Sequence, residues 1–212
     1  MRPSVLALLV PALLAAPSAA GAQTTPAQVR FGLLGSFNMS TLGGSDVARP
    51  RMKGGFSVGA LVRLPISNAW SFQPELEYAG KGVRMKSTTT PSGPYTETVG
   101  LGYLEAPLLL RLSARSTPSG RLFVEAGPAP AVNLRCSISL VANAVSVSTS
   151  CASRSLDPNS FDVGAIVGVG LELPLGTRSI WAGVRYNYGL TDVADGSNAR
   201  NRNLQIVGGL IL

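Results

Sequence analysis

Residues 101–112 read LGYLEAPLLLRL. From Tyr103 onward this stretch alternates: Leu104, Ala106, Leu108, Leu110 and Leu112 fall on one face, and Tyr103, Glu105, Pro107, Leu109 and Arg111 on the other. A strand sends successive side chains to opposite faces, so a period of two marks a strand with one oily side. Pro107 argues against a helix, because it has no amide hydrogen to donate and its ring clashes with the preceding turn. The oily face carries no charge, whereas the opposite face carries a carboxylate and a guanidinium. The run is long enough for a tilted membrane strand of roughly 9–11 residues.

The design recurs along the chain. Residues 29–42 put Phe31, Leu33, Phe37 and Met39 opposite Arg30, Gly32, Ser36 and Asn38. Residues 55–64 put Phe56, Val58, Ala60, Val62 and Leu64 opposite Gly55, Ser57, Gly59 and Arg63. Residues 70–81 put Trp70, Phe72, Leu76 and Tyr78 opposite Ser71, Gln73, Glu75, Glu77 and Lys81. Residues 121–134 alternate too, and Pro128 and Pro130 predict a bulge or an early end there. Residues 160–173, 179–190 and 203–212 complete the set. The reading is therefore eight strands, joined by connections that run long, short, long, moderate, long, short, long. Outer-membrane barrels have short periplasmic turns and longer external loops, which fits this order with both ends of the chain periplasmic. An even strand count lets the last strand pair with the first and removes both sheet edges.

Alternation alone does not separate a membrane barrel from a soluble one. Composition helps to decide. Of the 212 residues, 45% are hydrophobic and only 14% charged, against about 25% charged in soluble domains. Lysine occurs only at 53, 81 and 86, too few for a solvated outer wall. Beyond the N-terminal segment there is no apolar run of the ~20 residues a membrane helix needs. The polar face is rich in Gly and Ser with Glu and Arg, which suits a narrow filled interior. Aromatic residues on the oily face sit near strand ends, Trp70 and Phe72 below and Phe56, Tyr78, Phe161, Tyr186 and Tyr188 above, as an interfacial belt requires. The expected fold is an all-β, eight-stranded antiparallel up-and-down transmembrane barrel with a filled polar interior. The net charge of +7 comes without a Lys/Arg cluster interleaved with aromatics, so nucleic acid is not an expected partner.

Residues 1–22 read as a secretory signal peptide: Arg2, an apolar core over 5–14, and Ala20-Gly21-Ala22 as a small-residue cleavage site. The barrel domain is then 23–212, exported to the outer membrane of a diderm bacterium. Membrane lipid is the expected surrounding, and the barrel a monomer.

Tyr103-Leu104-Glu105-Ala106-Pro107-Leu108-Leu109-Leu110-Arg111 resembles the Y-L-E-x-P-L-L-L-K/R strand of the PorT-like small outer-membrane β-barrel proteins. Phe72-Gln73-Pro74-Glu75-Leu76 and Tyr186-Asn187-Tyr188-Gly189-Leu190-Thr191-Asp192 support the likeness. The resemblance implies an eight-stranded barrel and little about activity. The C-terminus, with Leu210, Leu212 and Gln205, resembles the recognition signal of outer-membrane proteins, which implies the barrel assembly machinery as a partner. It departs in ending on Leu rather than Phe and in carrying its glycines at 208 and 209.

Eight charged residues share the polar face: Arg63, Glu75, Glu77, Glu105, Arg111, Glu125, Glu172 and Arg185. Side chains just fill the bore of an eight-stranded barrel, and buried charges persist only when paired. The favoured reading is a plug of ion pairs; the alternative is a catalytic carboxylate pair or a proton path. With no histidine, neither a Ser-His-Asp arrangement nor a His metal site can form, and no cofactor, metal or catalytic residue is expected. The glycine-rich run at 164–170 lacks the phosphate-loop spacing and reads as lumen positions that leave room for neighbours.

Cys136 and Cys151 are the two cysteines, and an exported chain should join them. The run between them alternates about Asn143-Ala144. A turn there would set the cysteines opposite each other, with Ile138 facing Thr149 and Leu140 facing Val147. This predicts a stapled hairpin outside the membrane, within an excursion over 135–159, that could meet an extracellular or envelope protein. The functional expectation is a structural or surface-interaction role without an open pore and without enzymatic activity. The rivals are a soluble periplasmic lipocalin-like binder of a small apolar ligand and a membrane-barrel enzyme acting on lipid.

Overall fold

The computed structural model describes residues 28–45, 50–87, 95–114, 120–142, 145–154, 158–194 and 196–212. The expected signal peptide, residues 1–22, lies outside them. The strands are β1 (Arg30–Gly43), β2 (Pro50–Pro65), β3 (Trp70–Ser87), β4 (Tyr95–Glu105), β5 (Leu108–Ser113), β6 (Arg121–Ala142), β7 (Val145–Ser150), β8 (Phe161–Leu175), β9 (Arg178–Gly189) and β10 (Arg200–Ile211). Each pairs antiparallel with its neighbours, and β10 closes on β1 from Gly32 opposite Ile211 to Gly43 opposite Arg200. The wall is a ring of eight, because β4 and β5 together make one strand and β7 stands apart from the ring.

Proline explains the split between β4 and β5. The register against β3 is the same on both sides of the gap, from Glu77 opposite Glu105 to Pro74 opposite Leu108. The register against β6 is likewise unshifted between Glu105–Ala131 and Leu110–Ala126. Only ladder donors are missing. Pro130 accepts from the Ala106 amide across this seam, so its ring nitrogen and that of Pro128 point to the same side, where they can give nothing back. The β6–β8 ladder uses the other edge of β6 and runs unbroken from Arg121 to Val132.

Two expectations are corrected here. The fifth strand neither ends nor bulges at Pro128 or Pro130; the register shift falls beyond them, at Leu134. The stretch after Leu134 is also not a separate excursion. β6 continues to Ala142 while paired with β4, up to Tyr95 opposite Ala142, and β7 folds back on it. The upper parts of β2, β3, β4 and β6 together with β7 thus form a five-stranded sheet that rises beyond the barrel wall.

The burial pattern is inverted relative to a soluble protein. Phe31, Leu33, Val58, Val124, Val167 and Ile206 are each more than half or close to half exposed, whereas Arg111, Arg185, Glu77 and Glu105 are at most 1% exposed. Only a surrounding without water makes this favourable: an outward Arg or Lys at mid-bilayer costs roughly 2–4 kcal/mol. Short connections at 66–69, 114–120 and 176–177 share one end with both ends of the described chain, and the long connections share the other. The short-turn end is therefore the periplasmic one.

Candidate functional site

The lumen holds the charged residues, each placed by strand parity. Gln73, Glu75 and Glu77 are successive inward positions of β3, Arg111 is inward on β5, Glu125 on β6, Glu172 on β8 and Arg185 on β9. The closed wall turns these into a circuit. Arg63 donates to Glu172 at 2.7 Å and through two nitrogens to Gln73 at 3.0 and 2.8 Å. Gln73 donates to Glu75 at 2.6 Å, and Glu75 takes a two-pronged bond from Arg185 at 2.7 and 2.8 Å. Arg185 also donates to Glu125 at 2.6 Å. Glu125 accepts from Arg111 at 2.8 and 3.0 Å, and Arg111 reaches Glu172 at 3.5 Å, which closes the ring. Three guanidiniums balance three carboxylates, so the buried charges are paired in both senses that desolvation demands.

The ring crosses the bore rather than lining it. β3 and β9 lie opposite each other in the order of strands, as do β2 and β8, and the Arg185–Glu75 and Arg63–Glu172 bonds join them. A third diametric bond sits higher, where Asn201 of β10 donates to the Tyr103 hydroxyl of β4 at 3.1 Å. Asn201 also donates to Asp162 at 2.6 Å, and Thr191 donates to the other oxygen of that carboxylate.

Between these levels Glu77 and Glu105 face each other across β3 and β4. Lys81 pairs with Glu105. Glu77 Oε1 and Glu105 Oε2 have no hydrogen-bond partner among the described residues. This is the carboxylate pair that the catalytic reading would need, and both side chains are sealed from solvent.

The sequence reading left out several members of this interior. Gln73, Lys81 and Asp162 share the inward parity of their strands with the eight charged residues and belong with them. The apolar part was not legible in the same way. Leu34, Leu61, Phe123, Trp181, Val207 and Ile211 point inward and pack together near the periplasmic half. Arg111 lies flat on Phe123, 3.6 Å from its centroid, and is 5.0 Å from that of Trp181; Arg185 is 5.3 Å from Trp181. A planar guanidinium stacks on a ring face while its edge hydrogen-bonds to carboxylate. The glycines make this possible. A Cβ at Gly170 would lie 2.3 Å from the Phe123 ring, and one at Gly164 would lie 2.1 Å from Asn187 Oδ1.

The aromatic residues Phe56, Trp70, Phe72, Tyr78, Phe161, Tyr186 and Tyr188 all lie on the outer face. Phe37, not included in the predicted belt, packs edge-on against Phe56 with centroids 5.4 Å apart. Cys136 and Cys151 form a disulfide, and Ile138 faces Thr149 and Leu140 faces Val147 as the sequence predicts. The predicted turn at Asn143-Ala144 lies outside the described residues. Below the staple, Leu42, Val99, Leu101, Tyr103, Ala131, Cys136 and Val193 form an apolar cluster at the external end of the bore.

Residues 21–195 match the family described as outer membrane protein beta-barrel domain. The chain belongs to that family. It is an outer-membrane β-barrel protein, and a soluble lipocalin-like barrel is set aside, because the oily rows face outward and the charges face in. No curated protein matches the chain. Among solved structures it is similar to Neisserial surface protein A, at 15% identity and a TM-score of 0.49, covering 86% of this chain and 96% of that one. It is also similar to Ail, the attachment invasion locus protein of Yersinia pestis, at 11% identity and a TM-score of 0.44, covering 87% and 99%. A third is the outer membrane protein OprG from Pseudomonas aeruginosa, at 10% identity and a TM-score of 0.40, covering 87% and 94%.

Proposed function

We propose that this protein is a closed, non-enzymatic, monomeric barrel of the PorT-like kind that presents a rigid sheet to a partner outside the cell. The observation that carries the reading is the pair of salt bridges across the diameter, Arg185–Glu75 and Arg63–Glu172, which fills the bore with side chains. An ion crossing this level would have to displace paired charges in a low-dielectric tube, which costs several kcal/mol per broken partner. The purified barrel in a planar bilayer should therefore give no stable conductance step, and a persistent open channel would refute the plug.

What remains available for work is the external sheet. Val145 and Val147 at its tip are 64% and 58% exposed, beyond the part of the wall that lipid covers. A disulfide and a wide sheet hold that tip in one shape, which lowers the ordering cost of binding. A cysteine introduced by Ser148→Cys should react with a membrane-impermeant maleimide on intact cells. Labelling that appears only after lysis would place the sheet on the wrong side and end the surface-interaction reading.

A further inference from the structure

The periplasmic mouth carries a charge imbalance that the plug does not use. A cavity of about 330 Å³ opens there, walled by Arg30, Arg121 and Arg178 together with Glu172, Thr177 and Ser179. A second hollow of about 230 Å³ shares Arg30, Arg121 and Glu172 and has Arg63 in its wall. Glu172 is the one carboxylate in either wall, and it is already committed. Its Oε2 accepts from Arg63 at 2.7 Å and from Arg111 at 3.5 Å, and its Oε1 accepts from the Ser179 hydroxyl at 2.7 Å. Arg63 is equally committed, to Glu172 and Gln73.

None of the other three guanidiniums forms an ion pair among the described residues. Arg30 gives one nitrogen to the Thr177 carbonyl at 2.9 Å. Arg121 stands directly across from Glu172 in the β6–β8 ladder, yet its Nε is buried without a hydrogen-bond partner. Arg178 opens the β9 strand at the rim, opposite the outward Leu175 across a two-residue turn, so it borders the mouth without facing into it. The contrast with the level above is sharp: there every guanidinium is matched by a carboxylate, and here Arg30 and Arg121 face a polar hollow whose one carboxylate is already committed.

We propose that this mouth binds a phosphate-type oxyanion, held by Arg30 and Arg121, which stand opposite the inward Arg63 and Glu172 in their ladders. A guanidinium presents two parallel N–H groups that match the spacing of two oxygens on phosphate, and such charge-assisted bonds are the strong ones. The concave wall keeps the group partly out of bulk water, so screening by salt reduces the attraction less than on an open surface. The anion has two sources at this depth: a soluble phosphate in the periplasm, or the headgroup of an anionic phospholipid in the inner leaflet next to the rim.

The test uses the whole barrel in a zwitterionic detergent. Inorganic phosphate is titrated calorimetrically at constant ionic strength, and retention of added dioleoylphosphatidylglycerol is followed by native mass spectrometry. Saturable phosphate binding is expected, weakened about tenfold or more by Arg121→Gln or Arg30→Gln, as loss of a charge-assisted bond implies. Arg135→Gln, on the external side, should leave it unchanged. Arg121→Lys keeps the charge without the planar fork and should bind at intermediate strength, which separates loss of the site from loss of the fold; heat-modifiable migration confirms assembly of each variant. Lipid that is retained, displaced by phosphate and lost in Arg121→Gln identifies the headgroup as occupant. Phosphate binding without lipid retention identifies the soluble anion. Binding that is absent, or that survives both Gln substitutions, overturns the proposal.

Discussion

The ring at the centre of the bore and the sheet above it are built from the same strands but held together by opposite means. In the ring, three guanidiniums, three carboxylates and one amide are tied through β2, β3, β5, β6, β8 and β9, so that one broken bond is felt all round the wall. In the sheet the fastening is local: a ladder from Ser137 opposite Ser150 to Ala142 opposite Val145, and a disulfide at its base. The first kind of fastening makes stability global; the second makes a part that can be altered while the barrel stays intact. The comparison teaches where change should be costly and where the molecule can tolerate it.

The largest effect should come from Arg185→Met. The variant strips Glu75 of its two-pronged donor and Glu125 of one of its two partners, and leaves carboxylate charge buried at 1% exposure or less on the side-chain scale. Breaking a buried pair by removing one partner costs about 3–5 kcal/mol. We expect the unfolding midpoint in urea, followed by gel mobility in lipid vesicles, to fall by a corresponding amount. Adding Glu75→Gln to Arg185→Met should restore part of the loss, since the charge left unpaired is then removed. A ring whose members were independent would show simple additivity instead.

This ring was only half legible in the sequence. Parity told that Arg63, Glu75, Glu125, Glu172 and Arg185 share a face, because alternation is a local property of a strand. It could not tell that Arg185 meets Glu75 rather than Glu172. That choice depends on which strands stand opposite after closure and on the stagger between them, and neither is written within a single strand. The inward Phe123 and Trp181 were missed for a related reason. An apolar residue on a polar face breaks the pattern, and what it serves is the flat underside of Arg111, visible only once three strands are brought together. The continuation of β6 past Leu134 was hidden by the bulge there: one extra residue flips parity, so a strand that goes on looks like one that has ended.

A second prediction sharpens the local character of the sheet. Cys136 and Cys151 are 15 residues apart, and a cross-link closing a loop of that length stabilises by about 3 kcal/mol through the unfolded state. Here the relevant unfolded state is that of the hairpin alone. Cys136→Ser with Cys151→Ser should therefore speed hydrogen exchange of the β7 amides by about two orders of magnitude, while the urea midpoint of the barrel moves far less than for Arg185→Met. An equal drop in both would mean that the sheet and the ring form one cooperative unit.

The smallest effect is expected at the tip. Ser148 is exposed on β7, and its hydroxyl bonds that of Ser139 at 2.7 Å across the hairpin. Ser148→Lys removes one exposed hydrogen bond and adds a solvated charge; exposed substitutions of this type stay within about 0.5 kcal/mol. Neither the urea midpoint nor β7 exchange should change measurably. What should change is recognition, because a lysine on an edge strand deters pairing with another strand. The outer edge of β7 pairs with nothing among the described residues, and Val145, Val147 and Thr149 alternate along it with three serines and no charge. If the sheet meets its partner there, Ser148→Lys separates folding from recognition in one variant: full assembly in the membrane, with surface binding by intact cells reduced. Binding that persists with Lys at this position would move the contact to another part of the external sheet and leave the ring, and the stability it confers, untouched.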